Sequence, residues 1–172
     1  MREVMREVLW SPEFWDDTSY FARYSWPVEF VVRSIKEVGW SGFTVGGNTL
    51  TALTNMGQTL YDPPDVAGWD LGQSWFSSGA MLSRMNFAST LAANQRFNLA
   101  RAAKPYAATP DALVSFALDA LSPAPLERVV RDELTAYLTS TGSWIPKNDA
   151  QLQVKVPGLV HLITGSSEYQ LV

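Results

Sequence analysis

A chain of 172 residues, 47% hydrophobic and 17% charged, can build the core of one domain and is too apolar to stay disordered. Its net charge of −4 and pI near 4.9 weigh against nucleic-acid binding, which calls for a basic surface. It has no cysteine, which excludes disulfides, thiolate metal sites and a cysteine nucleophile and leaves the compartment open.

Helix signals dominate from the start. Met1 to Trp10 reads as half a helix, with Val4, Met5, Val8 and Leu9 on one side and Arg2, Glu3, Arg6 and Glu7 on the other. It has neither the apolar run nor the cleavage site of a signal peptide. Ser11-Pro12-Glu13 offers a capping serine and a proline at a first helical position. Pro27 opens a stretch with Val28, Val31, Val32, Ile35 and Val38 at helical spacing, stopped by Gly39. Leu50, Leu53 and Met56 predict a short helix ended by Gly57. The longest uncharged run, Val38 to Tyr61, is full of Gly, Thr and Asn and makes a poor membrane span. Residues 58–76 read as a loop rich in Pro, Gly and Trp.

The next helix carries Met81, Leu82, Met85, Ala88, Leu91 and Ala92 on one stripe. Thr109-Pro110-Asp111 starts another, with Leu113, Phe116, Ala117, Ala120 and Leu121 facing inward. Leu126, Val129, Val130, Leu134, Tyr137 and Leu138 form the following stripe, stopped near Gly142. The last segment, Asp149 to Thr164, is helical in pattern but contains Pro157, which predicts a break or kink with Leu159 to Ile163 as the final helix. Residues 43–45 and 152–156 are the only faint strand candidates. The fold class expected is all-α, an irregular multi-helix bundle of about seven or eight helices with one long Pro/Gly/Trp-rich loop. All of residues 1–172 fall in a single domain. One internal echo is present: Leu9-Trp10-Ser11-Pro12-Glu13-Phe14-Trp15 resembles Thr164-Gly165-Ser166-Ser167-Glu168-Tyr169-Gln170, a short repeat or a recurring helix end where Ser caps the next turn and the aromatic docks on the core.

Chemistry-bearing residues concentrate in Asp62-Pro63-Pro64-Asp65-Val66-Ala67-Gly68-Trp69-Asp70. Two prolines stiffen it, Gly68 permits a conformation that other residues resist, and Trp69 supplies a flat contact surface. Three carboxylates this close could hold a calcium-type ion or act as an acid/base pair. The spacing matches no known ligand loop, so a rigid loop with Asp65 bonding nearby backbone N–H groups is the favoured reading. Asp16-Asp17-Thr18 reads as a solvated helix exit, and His161 has no Cys or second His with which to share a metal. No Walker loop or Gly-x-Ser-x-Gly elbow occurs. Nothing in the sequence calls for a metal or cofactor. Charge is uneven: residues 1–75 hold five basic and ten acidic side chains, and six of the seven tryptophans. Arg84, Arg96, Arg101 and Lys104 lie in a stretch without acids, but their spacing does not put all four on one helical face.

Several segments together resemble one family. They are Ser11-Pro12-Glu13-Phe14-Trp15, Trp26-Pro27-Val28-Glu29-Phe30-Val31-Val32, Pro63-Pro64-Asp65-Val66-Ala67-Gly68-Trp69, Trp75 followed by Leu82-Ser83-Arg84-Met85-Asn86-Phe87-Ala88, and Ser166-Ser167-Glu168-Tyr169-Gln170. The chain looks like the C-terminal part of the bacterial family catalogued as domain of unknown function 1800. Two positions depart from its pattern: Ser167 stands where the family has Pro, and Trp26 separates Ser25 from Pro27. The resemblance implies a longer full-length protein whose N-terminal part would be a partner of this region. It also implies export from the cytoplasm and a co-encoded exported protein as a possible second partner. It implies no reaction.

The function expected is a non-catalytic helical interaction or scaffold domain. The alternative is the C-terminal portion of an enzyme acting on extracellular polymers such as polysaccharide. Nucleic acid is not an expected partner, and no membrane span is expected. The candidate binding residues are Asp62, Asp65, Trp69, Asp70, Trp75, Arg84 and Asn86, with Arg84 expected to reach back to the loop and pair with Asp65 or Asp70 or bond its carbonyls.

Overall fold

A computed structural model describes residues 1–39, 47–70, 72–94, 98–140 and 142–172. The strand candidate at 43–45 and Arg96 lie outside the described residues. Among those residues the fold is all-α, with eight helices, short 3-10 turns and no sheet. The helices are α1 (Arg2–Trp10), α2 (Pro27–Glu37), α3 (Gly47–Asn55), α4 (Ser78–Ala92), α5 (Leu99–Ala103), α6 (Pro110–Leu121), α7 (Arg128–Thr139) and α8 (Asp149–Thr164).

Most boundaries follow from the predicted caps. The Glu29 carboxylate accepts from the Trp26 N–H at 2.9 Å and is held by an Arg23 fork at 2.7 and 2.8 Å. Arg23 keeps the Glu29 carboxyl below the usual range, and together they fix the start of α2. Gly39 ends that helix with φ +87°, and Gly57 follows α3 with φ +94°. Each is a conformation that side chains resist. Ser77 and Thr109 accept from the N–H groups of Ala80 and Ala112 at 3.2 and 3.1 Å, starting α4 and α6. The internal echo is a shared cap. Ser11 Oγ accepts from the Phe14 N–H, and Ser166 Oγ from the Tyr169 N–H, each at 3.3 Å. Only the second aromatic docks as expected, since Tyr169 is fully buried and Phe14 is exposed.

Helix α8 is the hub, packed against α4, α5, α6 and α7. Leu152, Val156, Leu159, Val160 and Ile163 are buried along it. Two expectations are corrected here. The strand candidate at 152–156 is helical, and the helix runs unbroken through Pro157. A proline inside a helix costs about 3 kcal/mol. Five buried side chains at about 1.5–3 kcal/mol each outweigh that cost. The next residue, Gly158, sits under the Tyr137 ring of α7; a Cβ there would lie 1.8 Å from the Tyr137 hydroxyl oxygen. Pro157 is half-buried rather than deep in the core. Pro157→Ala restores the N–H facing the Gln153 carbonyl, so it is expected to raise stability by about 1–3 kcal/mol. A thermal melt that fell instead would mean that the ring's packing matters more than the missing donor.

Inward faces differ in detail from the apolar stripes. In α4 the buried positions are Ala80, Arg84, Ala88, Leu91 and Ala92, while Leu82 and Met85 of the expected stripe are exposed. Arg84 takes an inward position and turns those two toward solvent. In α6 Val114 is buried and Ala120 is exposed. In α7 Val129 lies outside the core.

The C-terminal tail closes the bundle. Leu171 forms a single antiparallel bridge with Tyr24. The Arg33 guanidinium of α2 donates to the carbonyls of Leu171 at 2.9 Å and Ser122. The Tyr169 hydroxyl donates to Glu37 at 2.6 Å, and burial first, then Glu37, pushes its ionisation far above the usual range.

Candidate functional site: a tryptophan pocket and a neutral groove

The loop after α3 is tied down by its own backbone. Asp65 accepts from the Ala67 N–H at 2.8 Å, and its carbonyl accepts from the Gly68 N–H at 3.2 Å. Gly68 adopts φ +96°. This is the rigid Asp-anchored turn that the sequence favours. Asp62, Asp65 and Asp70 are all exposed. Trp69 is half-buried and Trp75, in the 3-10 turn Gly72–Phe76, is only 5% exposed.

Trp69, Asp70 and Trp75 line one pocket of about 330 Å³, closed by Pro64, the end of α3 and the start of α4. The Trp75 ring packs against Gly57, where a Cβ would make ordinary contact with the ring carbon Cζ3 at 3.5 Å; it is the φ of +94° there that favours glycine. The indole N–H groups of Trp69 and Trp75 are shut away from solvent and have no hydrogen-bond partner among the described residues. The tryptophans therefore offer the pocket carbon rather than donors. Asp62 and Asp65 are not among its lining residues.

Asn86 lies elsewhere. It lines a groove of about 390 Å³ between α3 and α4, together with Thr49, Thr51, Asn55, Ser83, Phe87, Thr90 and Asn94. Asn55 borders both hollows. There the Ser83 hydroxyl lies within reach of two carbonyls, Gly79 of its own helix at 3.0 Å and Asn55 of α3 at 3.2 Å, and shares its one proton between them. The sequence signal for this groove is the Thr and Asn content of α3, the same content that makes the stretch a poor membrane span.

Arg84 corrects the expectation made for it. It does not pair with Asp65 or Asp70. It is fully buried and donates to the Ser25 carbonyl at 2.7 Å, the Ser25 hydroxyl at 3.2 Å and Gln170 Oε1 at 2.9 Å. The guanidinium lies over Phe30 and over Phe76, 5.0 and 4.6 Å from the ring centres, so among the described residues it meets the loop at its last residue. Burial lowers its pKa to about 10, so it remains charged at neutral pH. Arg84 is a strut between α4, the segment before α2 and the C-terminal tail.

The other candidates resolve simply. Asp16 caps the 3-10 turn Asp17–Ser19 by accepting from the Thr18 N–H at 2.8 Å. Lys104 pairs with Asp149 at 2.8 Å, Arg101 is exposed on α5 and Arg84 is buried, so Arg84 shares no surface with these two cations. Among the described residues no three His, Asp or Glu side chains are grouped to hold a metal ion, and no helix is long and apolar enough to cross a membrane.

These features define an all-α domain with a ligand-sized cleft beside α3. The chain belongs to the family described as protein of unknown function (DUF1800), whose model matches residues 1–171. No curated protein and no solved structure matches it.

Proposed function

We propose that the chain is a non-catalytic docking domain that meets a protein partner through residues 1–20. The observation that carries this reading is α1, which buries none of its residues. Val4, Met5, Val8 and Leu9 are 61, 53, 48 and 40% exposed, and Trp10, Trp15 and Tyr20 are 76, 62 and 56% exposed. A contiguous apolar surface of this kind on a soluble domain marks an interaction site. Its main packing is against the turn that follows it, where the Trp15 N–H donates to the Leu9 carbonyl at 2.7 Å. The arm is thus locally ordered and apolar without serving the core. Aromatic residues at such a surface are the usual anchors of protein contacts. Two partners suit this face: another region of the same protein, or a separate exported protein, with the domain itself acting outside the cytoplasm.

Sedimentation velocity over a concentration series tests the reading. The chain is expected to self-associate reversibly through the unpartnered face. Met5→Asp with Val8→Asp is expected to leave it monomeric with an unchanged melting temperature, because neither residue is in the core. Self-association that persisted unchanged in the double variant would place the contact surface elsewhere and sink the proposal.

The alternative, a portion of an enzyme acting on polymers, draws on the tryptophan pocket. It is supported less well. Glycoside chemistry uses two carboxyl groups about 5–10 Å apart across the scissile bond, and of the three loop carboxylates only Asp70 lines the pocket.

A further inference from the structure

The two hollows beside α3 share a chemistry that the docking reading does not use. Among the described residues no charged side chain lines the groove, and Asp70 is the only charged one that lines the pocket. Among the described lining residues a phosphate, sulfate or carboxylate would meet no cation and one carboxylate of its own sign. A purely apolar ligand would strip water from amides and hydroxyls without replacing their hydrogen bonds, which is unfavourable. The side-chain amides of Asn55 and Asn86 have no hydrogen bond to any described residue and stand exposed. Each amide offers two donors and one acceptor oxygen. Beside them Phe87 and Trp69 supply carbon surface.

One common ligand class presents neutral hydroxyls on its rim and C–H faces on its ring. We propose that the cleft beside α3 binds a neutral oligosaccharide, with one sugar unit between α3 and α4 and the next against Trp69. Each hollow falls within the roughly 300–1,000 Å³ of small-molecule sites, at about 390 and 330 Å³. Their shared border at Asn55 makes them adjoining subsites. Asn55 and Asn86 orient hydroxyls by hydrogen bonds to amide groups, and Trp69 stacks on a ring face. This inference uses a surface separate from the N-terminal arm, so either proposal can fail without the other.

The test uses the whole chain on an array of neutral and anionic oligosaccharides, followed by amide NMR titration with the best neutral binder. The expected result is binding to at least one neutral series. The largest shifts should fall on the side-chain amides of Asn55 and Asn86 and on the Trp69 indole. Asn55→Ala with Asn86→Ala is expected to weaken binding at least tenfold without changing the melting temperature. Trp69→Ala, at this half-buried position, should weaken it as much. Three results would overturn the proposal: no neutral sugar binds, sulfated or carboxylated sugars bind as well as neutral ones, or the shifts map away from α3 and α4.

Discussion

Replacing Arg84 by alanine is expected to destabilise the domain by about 3–5 kcal/mol, lowering the melting temperature on the order of 10 °C for a chain of this size. The guanidinium is fully buried and among the described residues has no carboxylate partner. Its charge is held by Ser25 and Gln170 oxygens and by the faces of Phe30 and Phe76, while its Nε has no hydrogen-bond partner among the described residues. Alanine leaves a cavity and strands the Ser25 carbonyl and Gln170 Oε1 away from water. Arg84→Met fills most of the space and removes a buried charge, yet still strands those acceptors, so a milder loss of about 1–3 kcal/mol is expected. Arg84→Lys keeps the charge but cannot reach three oxygens with a planar fork. Urea denaturation of the three variants checks the order. An alanine variant within about 1 kcal/mol of wild type would mean that Arg84 does not brace the tail, since a large cavity and stranded acceptors together cost more than that.

That strut shows where the sequence stopped being informative. Helix ends were legible because their causes are local. Thr109, Pro27, Gly39 and Gly57 act within a few residues of themselves. Arg84 bonds residues 59 and 86 positions away, and no short-range rule pairs an arginine with a distant serine and glutamine. A carboxylate partner was the natural expectation, and the nearby acidic loop supplied candidates; burial between two phenylalanines was the solution adopted. The unbroken α8 has the same lesson, since Pro157 was read by its local cost while four neighbouring helices decided the outcome. Of the candidate binding residues, Trp69, Asp70 and Trp75 were legible as a cluster because they share one loop. Asn86 was not, because its companions come from α3, and neutral Thr and Asn carry no motif by which to be noticed.

Trp75→Ala is expected to cost about 3–5 kcal/mol, the range for removing a large buried aromatic. Only 5% of Trp75 is exposed, and its ring lies against Gly57 at the point where α3 ends. Its loss would loosen the junction of α3, the loop and the start of α4 together. Trp69 is half-buried, and Trp69→Ala should cost about 1–2 kcal/mol, in proportion to the smaller area it removes from water. The contrast matters more than either value. A buried tryptophan that lines a pocket is its wall, whereas a half-exposed one is surface available to a partner or ligand. Equal losses for the two variants would make Trp69 a core residue and leave the pocket without an aromatic face to offer. A loss confined to Trp75 would leave Trp69 energetically spare in the folded domain, as a residue retained for contact should be.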